Sequence, residues 1–344
     1  MKKFIAIIMS ILIVGCCLVT PASATNISKE KNNFITERVE DFVSSRKGED
    51  FTIKAIKPFL DEEENVISYC YFLEPVGYVI IDTGAEVVEA AFDNTASYKA
   101  LISQEGNIYY AGPLNYYTRN NSCYNNIMTK ETVPENAVAV SINEFTDTIS
   151  TSVSYNAVNT NASSRGSITT DKLTGTLRRY SYNTGVICGS TAAAIMLMYY
   201  RDYRDSWVVP SWHDTSTGQS LIELIRPEIN GDPPQGAFCS DVVRGLNFYF
   251  RWRGIADQYS ATWSSGSVSA TTYNAIRSLI TANKPVEILI NDHPTYGNHF
   301  VVAHGVEKEI HGSTYYYIYA GDGWGSNNVL ISFRYLRQYA YIIG

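Results

Sequence analysis

Residues 33–46 carry Phe34, Ile35, Val39, Phe42 and Val43 at the spacing of one helical face, with charged residues between them. The spacing predicts an amphipathic helix. From Phe51 onward the pattern changes to short apolar runs at 51–56, 66–73, 77–82 and 87–92, divided by Asp-Glu, Glu-Pro and Thr-Gly pieces. These runs predict an antiparallel sheet packed on the helix, with more short strands to about Phe145. Residues 146–170 are dominated by Thr, Ser and Asn, and a polar linker open to proteolytic nicking is expected there. Beyond it, Ile195, Leu197, Met198 and Tyr199 follow a helix of about 13 residues that starts at Cys188. Further helices are predicted at 220–224, 240–250 (with Ser240 as N-cap) and 271–282, and strands at 285–290, 300–306, 315–320 and 329–333. Helices followed by antiparallel strands define an α+β C-terminal domain.

The first residues change this picture. Lys2-Lys3, an apolar run from 4 to 19 and Pro21-Ala22-Ser23-Ala24 have the three parts of a secretory signal peptide, with cleavage expected after Ala24. A competing pattern, Ile13-Val14-Gly15-Cys16, looks like a bacterial lipobox and would leave Cys16 lipid-anchored, the one expected route to a membrane. The predicted organisation is a signal peptide (1–24), a helix-plus-sheet N-terminal domain (25–145), a linker (146–170) and a C-terminal domain (171–344). Loss of the leader takes the formal charge from −7 to −9, which disfavours phosphate backbones, so nucleic acid is not expected as a partner. Four cysteines then remain, Cys70, Cys123, Cys188 and Cys239, too few for a disulfide framework in a chain of this length. Cys70, in an apolar strand, is expected as a small buried hydrophobe.

Cys188, His299 and Asp322 occur in an order that suits a thiol peptidase. A cysteine at a helix start feels the positive end of the dipole and the free first-turn amides, which favours thiolate. Gly189 is expected to leave room for a substrate carbonyl, and the amide of Cys188 to serve as an oxyanion donor. Of the five histidines, His299 opens an apolar strand after Gly297-Asn298. His304, five residues on, is expected on the opposite face as a structural histidine. His293, in a loop, is a candidate gate; His213 and His311 have no assigned role. Asp322, in Gly321-Asp322-Gly323, is expected to aim its carboxylate at the ring nitrogen of His299 turned away from the thiol.

Asn298-His299-Phe300-Val301 with Gly305 resembles the histidine strand of papain-like cysteine peptidases, and Asp322-Gly323-Trp324-Gly325 is similar to their Asn/Asp-x-Trp-Gly turn. Cys188-Gly189-x-Thr191-Ala192-Ala193, Lys284-Pro285-Val286 and the aspartate in the asparagine position are most similar to bacterial peptidases related to the double-glycine leader peptidases of bacteriocin exporters. Residues 71–82 resemble the propeptide of streptopain-type secreted cysteine peptidases. The resemblance implies a papain-like fold, a Cys-His-Asp triad, protein or peptide substrates, no cofactor and a latent precursor. One departure stands out: the glutamine such enzymes place six residues before the cysteine, as second oxyanion donor, is Tyr182 here. Asn183 or the Tyr182 hydroxyl is the substitute expected. The rival readings are a cell-wall amidase or transferase with the same triad, and an inactive surface binding protein, which the 26 tyrosines would suit.

Overall fold

The computed structural model describes residues 22–48, 51–156, 166–180, 187–232, 236–290 and 299–344. Helix α1 (Ala22–Lys47) contains the predicted amphipathic stretch and turns Ile35, Val39, Phe42 and Val43 into the core. It starts two residues before the cleavage site expected after Ala24. Strands β1 (Thr52–Leu60), β2 (Val66–Glu74), β3 (Tyr78–Asp82) and β4 (Val87–Ala91) form an antiparallel meander beside it. Helix α2 (Ala96–Ser103) begins at Thr95, whose hydroxyl accepts from the Tyr98 amide. Short strands β5 (Ile108–Tyr110), β6 (Tyr116–Asn120), β7 (Cys123–Asn126) and β8 (Thr132–Pro134) extend the sheet, β5 running parallel to β1.

The predicted linker is in part regular structure. Helix α3 (Glu135–Asn156) occupies the end of the expected strand region and the first part of 146–170. Val138, Ile142, Phe145 and Ile149 recur at helical spacing and are buried, and this stripe outweighs the local Thr and Ser content. Strand β9 (Ser167–Lys172) then pairs antiparallel with the strand that begins at His299. Its β-branched Ile168, Thr169 and Thr170 suit a half-exposed strand.

The C-terminal part contains α4 (Cys188–Tyr203), α5 (Gln219–Ile229), α6 (Cys239–Arg253), β10 (Ser260–Ser265), α7 (Ala270–Thr281), β11 (Val286–Ile290), β12 (His299–His311), β13 (Ser313–Gly321), β14 (Val329–Ser332) and β15 (Leu336–Ile343). Helix α6 starts one residue earlier than expected. Its cap is Phe238, whose amide donates to the Asp241 carboxylate, so Ser240 lies inside the first turn. Strands β10 and β15 were not foreseen; they pair with each other, and β15 also lies against β11.

The α+β class is therefore observed, with one sheet running through the molecule in the order β10-β15-β11-β12-β13-β14-β4-β3-β2-β1-β5-β6-β7-β8. The N- and C-terminal parts join at β14 and β4, where Val329 faces Ala91 and Ile331 faces Glu89. Three buried charge contacts reinforce the seam: Arg38 makes two hydrogen bonds to Glu309 at 2.9 and 3.1 Å, Arg46 bonds Glu307, and Arg334 reaches Asp82 and Glu86. Among the described residues, no helix is long and apolar enough to cross a membrane.

Candidate active site

Cys188 is the first residue of α4, half-buried, with a free thiol. The first turn is anchored by Ser190, whose hydroxyl and amide both bond Asn230 at the end of α5. The amides of Phe300 and Gly189 point at the sulfur and favour its charged form. Burial is nevertheless the larger influence and pushes the thiol above its ordinary value of 9.0, outweighing the pull of the first-turn amides toward thiolate. A Cβ at Gly189 would sit 3.3 Å from Ile229 and 3.4 Å from Phe300, so glycine there also permits the close packing of α4 against α5 and β12.

His299, the first residue of β12, is buried, and its ring stacks on Trp324 with centroids 4.7 Å apart and planes 19° from parallel. Its Nε2–H donates to the backbone carbonyl of Asp322 at 2.9 Å. Here too the geometry differs from the sequence reading, which assigned this bond to the carboxylate. The carboxylate is turned inward: Oδ1 accepts from the amides of Trp324 at 2.8 Å and Ser326 at 2.9 Å, closing the turn. Oδ2 is buried without a partner, and burial pushes Asp322 up to about 6. Gly323 and Gly325 have φ of +76° and +99°, conformations open to glycine, and so permit the tight return of the chain under the ring.

Desolvation lowers His299 to about 4, with the Asp322 bond opposing it. Burial thus favours the neutral form of both the His299 imidazole and the Cys188 thiol. With Nε2 held by Asp322, Nδ1 is the nitrogen left for proton transfer. The backbone of Phe300, the residue that follows His299, acts on the sulfur, so the start of α4 meets the entry of β12, where the Asp322 carbonyl holds the His299 ring.

The other candidates fall elsewhere. Tyr182, Asn183 and His293 lie outside the described residues. His304 donates from Nε2 to the carbonyl of Asn327. Its expected place on the face opposite His299 assumed strict alternation, which an extra residue between Ala303 and Gly305 interrupts. His213 bonds Ser220 at 2.8 Å, and His311 lies 4.0 Å from Asp41. Cys70 and Cys239 are buried thiols and Cys123 is a partly exposed one. Among the described residues no set of three His, Cys, Asp or Glu side chains gathers as a metal site.

Glu287 on β11 went unnoticed in the sequence. It is fully buried, neither carboxyl oxygen has a hydrogen-bond partner, and it lies close enough that ionising it would oppose thiolate at both Cys188 and Cys239. An alternating strand reading would place a Glu between apolar neighbours in solvent; here both faces of β11 are covered. Burial holds its pKa well above 4.5, so folding takes up a proton at higher pH and the native state loses stability as pH rises from there. Glu287→Leu should therefore gain on the wild type by up to about 1.4 kcal/mol per pH unit above the ordinary carboxylate range. Urea unfolding at pH 5 and pH 7 checks this; parallel stabilities for the two proteins would contradict it.

Residues 174–340 match the sequence model of the Peptidase_C39 like family. The C-terminal part of the chain is thus similar in sequence to a family of cysteine peptidases. The matched span includes Cys188, His299 and Asp322 and both strands that flank the turn. Among solved structures, a fragment of Prevotella intermedia prointerpain A is similar at 11% identity and a TM-score of 0.43, covering 83% of this chain and 98% of that one. No curated protein matches.

Proposed function

We propose that this chain is a secreted cysteine endopeptidase, made as a latent precursor, in which Cys188, His299 and Asp322 form the catalytic set. The observation that carries the reading is the His299 ring held by the Asp322 carbonyl beneath Trp324, one residue from the amide against which the Cys188 sulfur lies. In the reaction, Nδ1 of His299 takes the thiol proton as the sulfur attacks a peptide carbonyl. The neutral resting pair suits this role, because a neutral imidazole is a base ready to accept. The Asp322 carbonyl stabilises the imidazolium that forms. The Cys188 amide, with Asn183 or Tyr182 as the side-chain donor, receives the oxyanion. His299 then protonates the leaving amine, and water hydrolyses the thioester.

The division into a signal peptide, a 25–145 propeptide-like domain and a 171–344 peptidase domain belongs to the same proposal. Release as a free protein is the reading favoured over a lipid anchor at Cys16, and sequencing the N-terminus of the exported protein separates the two. The substrate class is tested by incubating the purified protein, intact and nicked within 157–165, with casein and with purified cell wall. Casein cleavage by the nicked form supports a peptidase with a latent precursor; release of cell-wall fragments alone would indicate an amidase or transferase. Failure of Cys188 to react with any thiol-directed peptidyl inhibitor would indicate a binding protein.

A further inference from the structure

His299 and His304 lie on one strand, and each spends its Nε2–H on a backbone carbonyl 23 residues further along, Asp322 for the first and Asn327 for the second. Both carbonyls belong to the connection between β13 and β14, and that connection is internally braced. Asp322 donates its amide to the Ser326 carbonyl at 2.9 Å, its carboxylate takes the amides of Trp324 and Ser326, and the Asn327 side chain donates to the Leu177 carbonyl at 2.8 Å. The turn that holds and covers the His299 ring is thus suspended between two imidazoles.

In a regular strand two residues five apart face opposite sides. The bulge changes this: Ala303 faces Ala320 and Gly305 faces Tyr319, so His304 is the extra residue, and it comes round to the connection that His299 also reaches. Bulges beside active sites commonly re-aim a side chain in this way. The bulge is itself pinned, since the His304 carbonyl accepts from the Leu173 amide at 2.8 Å. Burial keeps His304, like His299, in its neutral form.

We propose that His304 is a second positioning residue of the site: its bond to the Asn327 carbonyl fixes the far end of the turn whose near end, the Asp322 carbonyl, holds the His299 ring. The assignment rests on His299 acting as the base, and it gives work to a histidine that strand alternation marks as structural. Losing the donor lets the Asp322 carbonyl and Trp324 drift, and small displacements of a catalytic group are costly in rate.

The test compares His304→Phe, which keeps a ring without a donor, with His304→Gln, which keeps an N–H. His304→Phe should lower kcat on casein-derived peptides by about ten- to a hundred-fold with little change in KM. In 15N-histidine NMR it should also broaden or remove the Nε2–H signal of His299 as that proton exchanges faster with water. His304→Gln should recover most of both. A folded His304→Phe with wild-type kcat and an unchanged His299 signal overturns the proposal. If His304→Phe fails to fold, His304→Ala with and without added imidazole gives the same comparison, and absence of rescue in both readouts counts against it. Wild-type protein that cleaves no peptide would defeat the peptidase reading instead, while the His299 signal would still decide whether His304 holds the turn.

Discussion

Cys188→Ala should lower peptide hydrolysis by at least about a thousand-fold and abolish labelling by a peptidyl epoxide, while leaving the thermal unfolding curve nearly unchanged. The small structural effect follows from where the residue sits. The residue is half-buried, in a first turn that Ser190, Asn230 and the packing of Gly189 already hold in place. His299→Ala should be as damaging to rate, since it removes the proposed base. The pH profile adds an independent check. His299 is held down to about 4 by burial, so its unprotonated, basic form is present above that value. The acid limb of kcat/KM should therefore fall near pH 4, not near the ordinary histidine value of 6.5. Retention of hydrolysis in purified Cys188→Ala would remove the thiol from the mechanism, and an acid limb near 6.5 would mean that the free enzyme keeps its imidazole in contact with water.

How much of this site was legible in the sequence differs from residue to residue. The strand opened by His299 and the Gly321-Asp322-Gly323 turn could be read, because apolar runs and paired glycines leave local signatures. The atom of Asp322 that meets the ring could not. Residue type suggests a carboxylate, but the turn's own amides at Trp324 and Ser326 compete for that carboxylate, and the backbone carbonyl is what remains in reach. The state of the thiol was only half legible for a related reason: the helix start, whose amides do favour thiolate, can be seen in a sequence, while the burial that outweighs it is a tertiary property. The bulge at His304 has no local mark at all, and strict alternation then gives the wrong face. Glu287 was hidden because a single carboxyl in an apolar strand reads as an outward residue until both faces of the strand are seen to be covered.

The junction of the two parts was equally invisible, since periodicity says nothing about which distant strand edges meet, and it leads to the second large effect. A chain lacking residues 1–165 should be poorly soluble and lack fixed tertiary packing, whereas a chain cut only within 157–165 should stay together as two associated pieces. Deletion would strip β4 from the edge of β14 and remove the covering of Tyr317 and Leu330, which pack with Ile35, Val39, Phe42 and Val43. Tyr335 would lose Phe145, its stacking partner at 5.5 Å. Exposing three such side chains costs on the order of 5–9 kcal/mol, comparable with the whole stability of a typical domain. A bare β14 edge would also invite pairing between chains. A single cut removes none of these contacts, and Arg38 with Glu309 and Arg334 with Asp82 and Glu86 still bridge the pieces. Latency is therefore better tested by nicking than by deletion: activity that rises on nicking while the pieces co-elute in gel filtration would mean that the N-terminal part restrains the enzyme without having to leave it. Near-ultraviolet circular dichroism and dye binding on the deleted chain check the stability claim. A soluble, cooperatively unfolding 166–344 fragment would show that the C-terminal part holds its own sheet without β4.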